Sequence, residues 1–186
     1  MRILGISGSL RRGSHNSGLL RAAAELLPPG VELEWFDGLK AIPPYDEDDD
    51  VEPAPPAVAA LRETIASADA VLFSTPEYNA SIPGQLKNAL DWASRPFPDN
   101  SLRGKPVAVV GASTGLFGGV WAQAELRKVL GAIGARVIDR DLPVGYVHTA
   151  FSDDGRLHDD QHHSTLEEIL GELVLEARTE LERVAA

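Results

Sequence analysis

Apolar residues recur along the chain in two alternating rhythms. Residues 2–7 form a short apolar run closing on serine and glycine, which predicts a strand. Over 16–27, Leu19, Leu20, Ala23, Ala24 and Leu27 return at helical spacing, and Pro28-Pro29-Gly30 stops that helix. Residues 31–36 predict a second strand with Val31, Leu33 and Trp35 on one face. Residues 39–56, rich in proline and acids, read as a loop. Val58, Leu61 and Ile65 mark a helical stripe over 57–67, and 70–74 is a wholly apolar third strand. A helix over 83–93 carries Pro83 at its first position, where a missing N–H costs nothing. A fourth strand over 106–111, a helix over 119–133, a fifth, alternating strand over 135–142 and a closing helix over 162–184 complete the order.

Strands alternating with helices imply parallel strands joined by crossover helices. The runs 2–7, 70–74 and 106–111 are apolar at odd and even positions alike, as strands buried on both faces require. The expected fold is α/β, a three-layer, doubly wound, five-stranded parallel sheet, formed as a single domain over residues 1–186. The length of 186 residues is compatible with that, since ~150 residues is an ordinary domain.

Charge and composition then narrow the function. Lys plus Arg is 17 and Asp plus Glu is 28, for a net charge of -11. Nucleic-acid and anionic-membrane binding need surplus positive charge, so neither is expected. The longest apolar runs, such as 106–112, are far shorter than the ~20 residues that span a bilayer, so no membrane insertion is expected. The N-terminus is already a strand and lacks the tripartite pattern of a secretory signal, which predicts a cytoplasmic protein. The absence of cysteine excludes disulfides, thiol catalysis and thiolate metal sites. The acidic run Asp46-Glu47-Asp48-Asp49-Asp50 reads as a solvated loop. His162 and His163 are neighbours on a predicted helix, ~100° apart, and so do not share a ligand face; no metal site is expected.

In an open α/β sheet, ligands bind at the carboxyl ends of the strands, where the strand order switches. Three loops follow such strands. The first, 5–17, is rich in glycine, serine and arginine and leads into a helix N-terminus, where free N–H groups and the helix dipole favour an anion. It has neither the Gly-Lys-Ser/Thr of a Walker loop nor the glycine spacing of the dinucleotide fingerprint, and a plain Ser/Asn helix cap would use the same residue types. The second, 75–84, holds two prolines and Tyr78, a stiff loop able to present backbone groups and a ring surface to a flat ligand, or simply a structural turn. The third, 111–119, has four glycines, which predict close approach of something to its backbone, or a tight turn before the next helix. Brought to one sheet edge, the three describe a mononucleotide site that suits a flavin mononucleotide.

Three motifs give the chain its resemblance. They are Gly8-Ser9-Leu10-Arg11-Arg12-Gly13-Ser14-His15-Asn16; Pro76-Glu77-Tyr78-Asn79 followed by Ile82-Pro83-Gly84-Gln85-Leu86-Lys87-Asn88-Ala89-Leu90-Asp91-Trp92; and Gly111-Ala112-Ser113 with Gly118-Gly119. Over about residues 2–141 the chain resembles the NADPH-dependent FMN reductases of the flavodoxin-like superfamily, a group that includes quinone, azo and chromate reductases. The resemblance implies FMN as cofactor and NADPH or NADH as electron donor. It implies a phosphate site at Ser9, Arg11, Ser14 and Asn16, with His15 inside the same motif. It implies that Pro76, Glu77, Tyr78 and Asn79 line the isoalloxazine ring, with Ser113 and Gly115 flanking it. It further implies a homodimer or homotetramer and a small-molecule electron acceptor such as a quinone or a flavin. No triad or acid–base pair stands out, as befits chemistry that the cofactor carries. The rival is a flavodoxin-type electron carrier or an FMN-binding regulatory protein, which would bind FMN without consuming NAD(P)H.

Overall fold

A computed structural model describes residues 1–152 and 154–185. Three strands form the centre of its sheet: β1 (Arg2–Ser7), β3 (Ala70–Thr75) and β4 (Pro106–Ala112). Their side chains alternate between the two faces. Ile3, Ala70, Leu72, Ala108 and Val110 enter one core, and Leu4, Ile6, Val71, Phe73, Val107 and Val109 the other. The helices divide accordingly. The first core is closed by α1 (His15–Leu26) and α6 (Asp160–Ala185), the second by α2 (Pro56–Ser67), α3 (Gly84–Ala93) and α4 (Val120–Ile133).

The edge strand β2 (Glu32–Trp35) pairs with β1, and the sheet runs β2-β1-β3-β4-β5, all parallel. This is the doubly wound order of flavodoxin-like folds, with its switch point between β1 and β3. Expected strand positions hold closely in the centre and less well at the edges. Trp35, expected on one face with Val31 and Leu33, is 39% exposed, because β2 has a neighbour on one side only. Pro83 sits one residue ahead of α3 in extended backbone, and its carbonyl accepts from Lys87 N–H at 3.0 Å.

The expected fifth strand is two short ones, so the sheet has six strands. β5 (Arg136–Val137) and β6 (Pro143–Val144) both pair with β4, at its start and at its end. Between them the chain carries Asp139, Arg140 and Asp141, charges that a buried ladder cannot hold. Arg140 turns outward to Glu168 (2.9 Å) and Glu172 (2.5 Å) of α6, and Arg136 reaches Glu176 and Glu180 on the same helix. The buried Gln123 of α4 bridges the detour. Its side-chain oxygen accepts from Leu142 N–H at 3.0 Å, and its amide donates to Gly118 O at 3.4 Å. A short helix, α5 (Val147–Ala150), precedes a turn closed by an antiparallel bridge between Phe151 and Leu157.

Helix α3 also fixes the long acidic loop. Gln85 donates to the carbonyls of Leu39 and Ile42, Asn88 exchanges hydrogen bonds with Pro43 and Tyr45, and Trp92 Nε1 donates to Pro43 O. Asp50 is drawn down by Arg62 at 2.8 Å, leaving Glu47, Asp48 and Asp49 exposed in a 3-10 turn. Among the described residues no group of three or more His, Asp or Glu is placed to hold a metal ion, and no helix is long and apolar enough to cross a membrane.

Candidate functional site

The register of the sheet brings the ends of β1, β3 and β4 level: Ser7 pairs with Ser74, and Thr75 with Gly111. The three loops after these strands enclose a cleft of about 150 Å³. It is lined from the first loop by Ser9, Arg11, Ser14, His15 and Asn16, from the second by Pro76, Glu77 and Tyr78, and from the third by Ala112, Ser113 and Thr114. Asn79 and Gly115, also expected in the site, do not line it. Ala112 and Thr114 do, although only their place between expected residues pointed to them.

Ser14 caps α1, its hydroxyl oxygen accepting from Asn16 N–H at 3.2 Å. The N–H groups of His15 and Ser17 find no acceptor among the described residues, so the first turn of this 12-residue helix keeps two free amides beside the cleft-lining Ser14, His15 and Asn16, at the positive end of the helix. Gly13 takes a φ of 65° to turn the chain into that helix. Ser9 Oγ accepts from Arg11 N–H at 3.4 Å, which fixes the turn carrying the guanidinium. Together they make a cradle whose chemistry suits an anion. His15 packs against Phe151 with ring centroids 5.2 Å apart, and its pKa lies below the ordinary value through burial first and the charge of Arg11 second.

Asn16 lines the cleft as its motif implied and also ties the strands together. It is 3% exposed, and its side-chain oxygen accepts from Ala112 N–H and from Ser74 Oγ, each at 3.0 Å. Its Nδ2 donates to Ala112 O, also at 3.0 Å. The amide clamps α1 to the ends of β3 and β4, and one of its two Nδ2 hydrogens has no partner among the described residues.

The second loop is a two-residue hairpin. Tyr78 and Ser81 exchange backbone hydrogen bonds of 2.9 and 3.2 Å, and Asn79 (φ 54°) and Ala80 (φ 61°) form the turn between them. Two successive left-handed residues make a type I′ turn. Asn79 is exposed at its tip, a position that asparagine tolerates well. Glu77 faces the cleft with its stem, but its carboxylate turns to α4, accepting from the N–H groups of Trp121 and Ala122 at 3.1 Å each. Gly119, the cap residue of α4, has no side chain to do this. A clue was present in the sequence: a helix opening on two glycines needs its cap from elsewhere.

The third loop also departs from expectation. The close approach that its glycines allow is made by the chain itself. A Cβ on Gly118 would lie 2.2 Å from the Pro143 carbonyl carbon, and one on Gly145 would lie 2.2 Å from Leu116 O. Gly115 donates to Ser113 Oγ, and its carbonyl accepts from Tyr146 N–H at 3.1 Å. The N–H groups of Glu77 and Thr114 have no acceptor among the described residues, so two cleft-lining residues retain free backbone donors. Tyr78, Leu116, Phe117 and Trp121, on the surrounding loops and the first turn of α4, are each at least half exposed.

The cradle at α1, the free donors of the second and third loops and the half-exposed aromatic rings beside them fit a phosphate-bearing flat ring system. Comparison with known proteins agrees. The chain is 45% identical to an NAD(P)H-dependent FMN reductase of Pseudomonas aeruginosa over 179 residues, 96% of each protein. It is 42% identical over 141 residues to a quinone reductase of Escherichia coli K12, covering 75% of this chain and 74% of that one. Its fold superposes on the flavoenzyme NAD(P)H:(acceptor) oxidoreductase FerB of Paracoccus denitrificans with a TM-score of 0.83 and 34% identity, over 96% of this chain and 97% of the other. With residues 1–149 matching its sequence pattern throughout, and these three loops in place, the chain belongs to the NADPH-dependent FMN reductase family.

Proposed function

We propose that this oxidoreductase binds FMN in the cleft between its three loops and uses NAD(P)H to reduce a small acceptor, a quinone or a flavin. The observation that carries the reading is the convergence of an anion cradle at the N-terminus of α1 with a stiff hairpin and free backbone donors, all at the switch point of one sheet. The chemistry that bound FMN supplies is two-electron transfer, hydride in from NAD(P)H and out to the acceptor.

The chain's own residues bind and orient. Ser9, Arg11, Ser14 and His15, with the amides of His15 and Ser17, hold the phosphate. Pro76 and Tyr78 form one wall of the ring site and Ser113 with Thr114 the other. The free N–H groups of Glu77 and Thr114 would donate to the bound ring and so would favour negative charge on it. Asn16 and Glu77 set the spacing between these walls. No side chain is assigned as acid or base, because hydride passing between stacked rings needs placement rather than proton transfer by the protein.

The half-exposed Tyr78, Leu116, Phe117 and Trp121 support a second proposal. A second copy of the chain covers this apolar rim, giving a homodimer or homotetramer with its cleft at the subunit boundary. A cytoplasmic location accords with the absence of cysteine and with a nicotinamide electron donor.

The test is a visible spectrum of the protein mixed with FMN, followed by anaerobic additions of NADPH and then NADH. Bands that shift on binding, bleach with a nicotinamide and return with a quinone are the expected result. Bands that shift but do not bleach refute the reductase and leave an electron carrier or regulatory protein. Sedimentation at micromolar concentration tests the assembly, and a clean monomer refutes it.

A further inference from the structure

His15 stands at a charge imbalance. It occupies the first position of α1, lines the cleft beside Arg11, and rests one side of its ring on Phe151. Among the described residues the only carboxylate lining the cleft is that of Glu77, which is held by the first turn of α4. The cradle thus has one permanent side-chain cation, Arg11, and a helix dipole, while a phosphate monoester carries a charge of about −1.5 to −2 at pH 7.

Among the described residues, the other ionisable groups on the elements packed near the ring leave this balance unchanged. From the turn that carries Phe151, Asp154 and Arg156 pair with each other at 3.6 Å. They line a separate cleft beyond Gly18, with Arg21 and Glu25 of α1 and His163 of α6. The third loop lines the cleft with Ala112, Ser113 and Thr114, none of them ionisable near neutral pH. In the free protein, burial first and the charge of Arg11 second lower the pKa of His15, which favours its neutral form.

We propose that His15 is a proton-linked ligand of the flavin phosphate, taking up one proton as the dianion binds. This rests on the reading of the cleft as an FMN site. The balance is simple: neutral imidazole, phosphate dianion and one proton from the buffer become imidazolium hydrogen-bonded to phosphate, and no other bond changes. Arg11 and protonated His15 then match the two negative charges. The second cation makes the site selective for a terminal monoester dianion over a phosphodiester, which carries a single charge per phosphate. Phe151 sets which face of the imidazole remains open to the ligand.

The experiment is calorimetric titration of FMN into the apoprotein at pH 7 in two buffers of different ionisation enthalpy, which counts the protons taken up. The wild type is expected to take up about half a proton or more. His15→Phe, which keeps a ring against Phe151, is expected to take up none. His15→Asn repeats the test with a small polar side chain, should the phenylalanine variant fail to fold. From pH 6.5 to 8.5 wild-type affinity should fall about 10-fold relative to the variants, the size of a one-unit shift by an opposite charge. Titration with riboflavin, which lacks the phosphate, should show no uptake.

Equal proton counts in wild type and variants overturn the proposal. So does uptake with riboflavin equal to that with FMN. FMN that binds without proton uptake removes the role of His15 and leaves the FMN site standing; FMN that fails to bind removes both.

Discussion

Glu77 reaches across from the second loop to cap α4, and removing its carboxylate should loosen two elements at once. Its Oε2 accepts from two backbone N–H groups at 3.1 Å each, at the helix positions that a capping side chain normally serves. A capping side chain contributes about 1 kcal/mol, up to about 2. A negative charge at a surface helix N-terminus adds about 0.3–1 kcal/mol. Glu77→Ala should therefore cost about 1.5–2.5 kcal/mol. Glu77→Gln keeps an acceptor and loses only the charge, about 0.5 kcal/mol. At about 2–4 °C per kcal/mol for a chain of this size, the apoprotein should melt about 3–10 °C lower with alanine and about 1–2 °C lower with glutamine. The assay is thermal denaturation of FMN-free protein, which keeps ligand binding from masking the change. High salt should close the gap between Glu77 and the glutamine variant, because screening removes the charge part. FMN affinity provides the second readout: alanine should weaken it several-fold by freeing the hairpin, and glutamine should weaken it little. Melting of both variants within about 1 °C of wild type would refute the capping argument. Equal loss of FMN in both would place the carboxylate on the ligand instead.

Other outcomes follow from the same geometry. Asn16→Ala strips partners from Ser74 Oγ and from both backbone groups of Ala112, so it should cost about 3 kcal/mol or more, read by urea unfolding. Ala80→Gly relieves a left-handed alanine worth about 1–2 kcal/mol while loosening the unfolded chain by about 0.4–1, for a net gain of about 0.5–1 kcal/mol in melting experiments. Arg11→Ala should weaken FMN binding about 10- to 100-fold by fluorescence titration, with the deficit shrinking as salt rises; unchanged affinity would take Arg11 out of the phosphate site. His15 bears on the apoprotein itself. Its folded pKa lies below the unfolded value of 6.5, so between the two the unfolded state binds more protons. Stability from this group is full above 6.5 and is lost as pH falls through the folded pKa, and His15→Phe should flatten that part of the pH–stability curve.

The centre of the fold was legible because its residues have no alternative. Strands buried on both faces read as unbroken apolar runs, and 70–74 has no polar position before Ser74. The edges read less well, since Trp35 and the segment 138–142 answer to partners distant in sequence: an absent neighbouring strand, and the glutamates of α6. The site divides in the same way. Ser14 at a helix cap and Arg11 beside it follow from local chemistry. The clamp of Asn16 and the helix cap of Glu77 were not legible, because each spends its side chain on backbone groups that long-range folding brings near. The polar residues Gln85 and Asn88 on α3 likewise prove to be staples for the 39–45 segment, which nothing local in that helix foretells.

The meshing of Gly118 with Pro143 and of Gly145 with Leu116 leaves no room for even a methyl group between the two stretches of main chain. Residues 113–119 and 143–146 therefore form one module for anyone seeking to retarget the enzyme. A longer or bulkier third loop grafted from a relative would collide with its neighbour unless that neighbour came with it. Libraries that diversify either stretch alone should return mostly misfolded protein, whereas paired grafts should preserve expression and give access to new acceptor preferences.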